Sequence, residues 1–242
     1  MSLISLDYVR KACGVGRAQR TVLDDVSLEV DSGQFVTVLD PSGAANTVLL
    51  EVTAGLTDAD DGNIVIGNTD LTRATSAERH ELLAHTVGVL YDSDNLMPAL
   101  TIADNLDLPA RLGNIEVSDA QRARISELFD LAPIAKYYPD AVSRADQQRV
   151  AIAARVLAGR TIMLCDEPTA GLDTAQADSI LALLRTCVRE LGMTVVTFTA
   201  NALAAQYADR VFILASGKNA GELTDPTLDA IFNALQAIHG EV

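Results

Sequence analysis

The sequence predicts an α/β fold in which strands and helices alternate and a mostly helical region sits between two of the strands. Three observations predict it. Short apolar, β-rich runs recur along the 242 residues, at Ser27–Val30, Phe35–Leu39, Asn63–Ile66, Val87–Tyr91, Thr161–Cys165, Met193–Thr199 and Val211–Leu214. Residues 93–158 carry helical patterns, whereas strands dominate on either side. Four apolar residues in a row before Asp166 mark a strand buried on both faces.

The elements can be justified in order. In "VLDPSGAANTVLLEV", residues 38–52, an apolar strand runs into a Pro-Ser-Gly turn and then into an apolar helix beginning near Thr47. A phosphate-binding P-loop between a strand and a helix reads G-x-x-x-x-G-K-[ST]. The same eight places here read Asp40, Pro41, Ser42, Gly43, Ala44, Ala45, Asn46 and Thr47, so both framing glycines and the lysine are missing. Gly67-Asn68 is a turn signal after Asn63–Ile66. Ser118 and Gln121 have capping-box spacing ahead of Ile125, Leu128 and Phe129 on one helix face. Asp173 and Gln176 open a second helix, with Ile180, Leu181, Leu184 and Val188 as its apolar stripe.

The strand in "TIMLCDEPTAGLD", 161–173, ends in two adjacent carboxylates, Asp166 and Glu167. They stand at its carboxyl end, where open α/β sheets place their ligands. In phosphoryl-transfer ATPases, a carboxylate there holds Mg2+ and a second group orients the attacking water.

Composition narrows the function classes. At 49% hydrophobic and 21% charged, the chain can bury a core as one large α/β domain or a domain with a subdomain. A net charge of −15 repels phosphodiester backbones and argues against a nucleic-acid partner. It also opposes a tetra-anionic nucleotide unless local groups overcome the field. Cys13, Cys165 and Cys187 are an odd, widely spaced set that reads as reduced thiols in a cytosolic protein. No run approaches the roughly 18 apolar residues of a membrane helix, and the N-terminus lacks a signal peptide's layout. Any link to a membrane is therefore expected to run through another protein.

Over nearly its full length the chain resembles the nucleotide-binding subunit of ATP-binding-cassette (ABC) transporters. "DDVSLEVDSGQFVTVLDPSG", 24–43, is similar to the family's entry into the Walker A loop. "NLMPALTIADNLDLPARL", 95–112, resembles the segment after the Q-loop in the lipoprotein-release, macrolide-export and cell-division (type VII) branch. "QQRVAIAARVLAGR", 147–160, is similar to the helix after the signature motif, and "AAQYADRVFILASGK", 204–218, to the strand and turn after the H-loop. The resemblance implies a P-loop NTPase-like fold: a mixed-sheet, RecA-like core over about 1–92 and 159–242, an N-terminal antiparallel β part, and a helical subdomain over about 93–158.

The departures from the family's pattern fall on nucleotide-contacting positions. The adenine-stacking aromatic aligns with Cys13, and Walker A has Asp40, Ala45 and Asn46 for Gly, Gly and Lys, although Ser42, Gly43 and Thr47 remain. The Q-loop glutamine falls at Asp92, the signature Leu-Ser-Gly-Gly-Gln at Val142, Ser143, Arg144, Ala145 and Asp146, and the H-loop histidine at Ala200. Thr47, Asp166, Glu167 and the D-loop Asp173 keep the family's residue types. The resemblance makes Glu167 a vestigial base, and Asp166 and Thr47 Mg2+ ligands only if nucleotide binds.

A unit charge about 5 Å away at an effective dielectric near 20 is worth roughly 3 kcal/mol. Losing a lysine at 46 and gaining a carboxylate at 40 then costs about 6 kcal/mol, which turns a micromolar site into one of roughly ten millimolar. The expectation is a pseudo-ATPase with no cofactor at physiological concentration, in a family whose ligand is ATP with Mg2+. Two partners are implied: an integral-membrane permease, through the helical subdomain and Asn95–Thr101, and a second nucleotide-binding subunit, identical or not. Location on the inner face of the membrane follows. Arg144 is expected to face Asp40, Asp92, Asp166 and Glu167 of that second subunit. An active or half-active export ATPase and a soluble regulatory module are the alternatives.

Overall fold

The computed structural model describes residues 2–240. In chain order the elements are β1 (Ser2–Cys13), β2 (Arg20–Asp31), β3 (Phe35–Leu39), α1 (Asn46–Thr53), β4 (Asp61–Ile66), β5 (Thr69–Asp70), α2 (Ser76–His85), β6 (Val87–Leu90), α3 (Ile102–Leu112), α4 (Asp119–Leu128), α5 (Arg144–Leu157), β7 (Ile162–Asp166), α6 (Thr174–Leu191), β8 (Thr194–Thr199), α7 (Ala202–Ala205), β9 (Arg210–Ala215), β10 (Lys218–Thr224) and α8 (Leu228–Gly240).

The strands form two sheets. One has the order β10-β9-β3-β8-β7-β6 and is parallel except for the antiparallel edge strand β10; the other is antiparallel, with the order β2-β1-β4-β5. β3, β7 and β8 are buried along their whole length, which is why they read as mainly apolar runs without polar alternation. Their threonines are buried with them, and the Thr37 and Thr197 hydroxyls are bonded to each other. Successive residues of β7 serve opposite faces. Met163 and Cys165 join Phe35, Val195 and the apolar sides of α5 and α6 in one core, while Ile162 and Leu164 join Val36, Val38, α1 and the antiparallel sheet in the other. This strand order brings the carboxyl ends of β3, β8, β7 and β6 side by side.

Between β6 and β7 the chain forms α3, α4 and α5 and no strand. Their hub is α5, where Val150, Ala151, Ile152, Ala153 and Ala154 are essentially inaccessible. Both expected capping boxes form, at Ser118 with Gln121 and at Asp173 with Gln176, so α4 and α6 begin where the sequence places them.

Two of the longer strands fall outside the apolar runs predicted from the sequence, although β1 buries Ile4, Leu6 and Val9. β1 is interrupted by bulges and by Tyr8 at φ 51°, and β10 is exposed along almost all of its length. β10 is fixed by pairing instead of burial: it joins β9, Asn219 exchanges two bonds with the backbone of Ser27 (2.7 and 2.9 Å), and the Asp24 N–H donates to the Gly217 C=O at 2.8 Å. Gly217 therefore couples the two sheets. It sits at φ +75°, and a Cβ there would lie 2.2 Å from the Val22 C=O. Gly217→Ala is expected to lower unfolding free energy by roughly 2–4 kcal/mol in a urea titration.

Candidate functional site

The turn after β3 folds around its own acid. The Asp40 side chain is 2% exposed. Its Oδ1 accepts from the Ser42 N–H (3.0 Å) and hydroxyl (2.7 Å), and its Oδ2 accepts from the Ala45 N–H (2.9 Å). The Ser42 hydroxyl accepts in turn from the Ala44 N–H (3.2 Å), and Gly43 takes φ +68°. A carboxylate at the start of α1 is favoured because the first N–H groups of a helix lack internal partners and carry partial positive charge. The loop thus holds an anion of its own.

Across from it lie the ends of β7 and β8. The Thr47 hydroxyl donates to Asp166 Oδ2 at 2.6 Å, and Asn46 Nδ2 donates to Glu167 Oε1 at 3.0 Å. The Ala200 N–H donates to the same Oε1 at 2.6 Å, and the Thr199 hydroxyl to Glu167 Oε2 at 2.6 Å. Both Glu167 oxygens are thereby engaged, with the backbone at φ +41°. Asn46 Oδ1 and Asp166 Oδ1 are buried without hydrogen-bond partners. Burial raises the Asp166 carboxyl above its ordinary value; the Thr47 hydrogen bond opposes this, and Glu167, Asp92 and Glu51 add to it. Among the described residues, no group of three or more His, Cys, Asp or Glu is arranged to hold a metal ion.

The remaining sequence-predicted positions serve local structure. Ser143 is the N-cap of α5 and Asp146 closes its capping box, with a further ion pair to Arg149. Asp173 caps α6. Arg144 is engaged inside its own chain: Nη2 donates to the Asp92 C=O at 3.0 Å, and the guanidinium lies over Gly171, where a Cβ would meet Nη1 at 2.9 Å. Gln148 adds a bond to the Pro168 C=O at 3.1 Å. The head of α5 is thus tied to the segments after β6 and β7.

The segment Asn95–Thr101 is pinned at both ends. Asn95 bonds the N–H and C=O of Tyr91. Asn105, on α3, accepts from the Met97 N–H at 2.7 Å and donates to the C=O groups of Met97, Leu100 and Thr101 at 3.0–3.1 Å. Met97 is left 52% exposed beside a groove of about 460 Å³ lined by Leu83, Leu96, Leu108, Leu112, Arg155 and Arg160, among others. Sequence reasoning missed three things here. The Ser143-x-x-Asp146 spacing is the same capping signal that identified Ser118; an Asp two residues before a Ser in a turn is an Asx-turn signal; and Arg155 interrupts an otherwise apolar helix stripe.

Residues 23–170 match the family model described as "ABC transporter". An uncharacterized ABC transporter ATP-binding protein of Mycobacterium tuberculosis is 30% identical over 84% of this chain and 83% of its own length. The macrolide export ATP-binding/permease protein MacB of Burkholderia pseudomallei is 29% identical over 98% of this chain, which spans only 37% of that larger protein. Among solved structures, a dimeric post-hydrolysis state of the ATP-binding cassette MJ0796, bound to ADP and Pi, superposes with a TM-score of 0.82 at 27% identity, covering 93% of this chain and 99% of that one.

The raised Asp166 carboxyl gives a signed prediction. The folded chain holds that proton more tightly than the unfolded chain does. Its stabilising contribution is therefore complete below the unfolded value of 3.8 and is lost as pH rises through the folded value. Asp166→Asn, which keeps an acceptor for Thr47, is expected to melt higher than the parent at pH 7. That advantage should shrink as both are taken below about pH 4 in parallel thermal melts.

Proposed function

Because the chain belongs to the ABC transporter family, we propose that it is a catalytically degenerate ATP-binding subunit that docks on a membrane permease without hydrolysing ATP itself. One observation carries this reading: the Asp40 carboxylate takes the Ser42 and Ala45 N–H groups of the phosphate loop. A P-loop holds phosphate through backbone N–H groups, a helix N-terminus and a lysine. Here a fixed anion uses the N–H groups, and the neutral, buried Asn46 stands in the lysine's place. The two unpartnered buried oxygens nearby, Asn46 Oδ1 and Asp166 Oδ1, are acceptors, so they offer a phosphate oxygen nothing. These residues do not fit a nucleoside triphosphate.

The other chemical positions support the same reading. Glu167 accepts three hydrogen bonds from its own chain, a poor state for a general base. Ala200 contributes only a backbone N–H, and Arg144 projects toward the chain's own Asp92. What is retained is the body, including the pinned Asn95–Thr101 segment beside the apolar groove. We assign that groove to the permease and place the chain, with a second nucleotide-binding subunit, on the cytoplasmic face of the membrane. Among the described residues, no helix is long and apolar enough to cross a membrane, which fits attachment through a partner.

The experiment is calorimetric. Millimolar Mg-ATP should shift the melting temperature by less than about a degree, since stabilisation follows RT ln(1 + [L]/Kd). A shift of several degrees would overturn the reading. The combined Asp40→Gly, Ala45→Gly and Asn46→Lys variant should gain measurable Mg-ATP affinity, because β3 and α1 still frame the loop. Its hydrolysis should stay low, and full turnover would mean that Ser143–Asp146 and Ala200 matter less than their chemistry implies.

A further inference from the structure

The groove assigned to the permease has a charged floor. Arg155 rises from α5 with its stem over Gly88, where a Cβ would clash with Arg155 Cγ at 2.6 Å. Its Nε donates to the Val89 C=O and its Nη1 to the Ala151 C=O, both at 3.1 Å. Arg160 is 8% exposed, and its Nη1 donates to the Ala158 C=O at 3.0 Å. Among the described residues neither arginine forms an ion pair, although eight others do, in a chain of net charge −15. The rim carboxylate, Asp94, accepts from Ser93 and pairs with neither.

Two desolvated like charges facing one groove are unfavourable without a counter-ion. Burial lowers Arg155 to about 10; the Cys165 sulfur works against that and Arg160 works with it. A guanidinium stays protonated at neutral pH, so both arginines are cations in the groove. The walls around them are apolar, and Met97 and Leu112 are 52% and 75% exposed. The groove thus pairs an apolar lining with an unmet demand for one anion.

We propose that the segment received by this groove has an apolar face bearing one carboxylate, which pairs with Arg155 and Arg160. The proposal rests on the permease-docking reading above and adds the chemistry of the contact. Charge complementarity identifies the occupant: a buried carboxylate opposite paired guanidiniums gives bidentate, partner-selective recognition. An anionic lipid headgroup is disfavoured, because a surface this acidic is repelled by an anionic membrane.

The test uses three helical peptides with one apolar stripe and a central Glu, Gln or Lys, titrated against the full chain by fluorescence anisotropy. The Glu peptide should bind about tenfold or more tighter than the Gln peptide, and the Lys peptide weakest. Arg160→Gln and Arg155→Met should each reduce that preference; the peptide exchange leaves the protein untouched, so the comparison survives a poorly folded variant. Equal affinity for the Glu and Gln peptides overturns the carboxylate while leaving the docking reading standing. Binding of none of the three defeats both. Sedimentation of the chain with phosphatidylglycerol vesicles but not phosphatidylcholine ones, lost in Arg160→Gln, would assign the arginines to lipid and also overturn it.

Discussion

The head of α1 needs an anion, and in this chain the need is met by a covalently attached one. Asp40 is sealed from solvent and joins the Ser42 and Ala45 N–H groups in a closed set of bonds. That set shapes the turn, orients the first residues of α1, and so aims Asn46 and Thr47 at Glu167 and Asp166. Through Glu167 the same network reaches Thr199 and Ala200 at the end of β8. A loop that depends on an external phosphate is ordered by its ligand; this one is ordered by its sequence.

The acidic residues at the strand ends sit together with no lysine among them. The chain meets the resulting repulsion partly with hydroxyl and amide donors, as at Glu167, and partly by raising the carboxyl of Asp166. The arginines that the sequence places near these positions act elsewhere. Arg149 pairs with Asp146, and Arg144 bridges the Asp92 carbonyl and Gly171. The electrostatics of this edge are therefore resolved locally, inside one chain, by short-range bonds.

Much of this was legible in the sequence. β3 was read residue for residue because a strand buried on both faces leaves a mainly apolar run with no polar alternation, and α4 and α6 because their capping boxes are local signals. β10 was not legible, since it is an exposed edge strand held by pairing. In β1, an interior strand with Ile4, Leu6 and Val9 in the core, bulges and the positive φ of Tyr8 break the alternation. At the site, the sequence named positions 40–47, 166 and 167 but not the hydrogen bonds that join them. The sequence suggested that Arg144 would look outward to a second subunit, whereas its reach to Asp92 depends on how α5 approaches β6, a tertiary fact. The engagement of Asp40 with its own loop was locally encoded, yet it was masked by reading that carboxylate only as a charge opposed to phosphate.

Asn105 has one further consequence. By holding both backbone groups of Met97 and two more carbonyls, it fixes the exposed Asn95–Thr101 segment in the free chain. The conformational entropy of that segment is surrendered when the chain folds, not when a partner arrives. For the permease docking proposed at this segment, encounter would then resemble rigid-body docking, with little loop reorganisation to slow it.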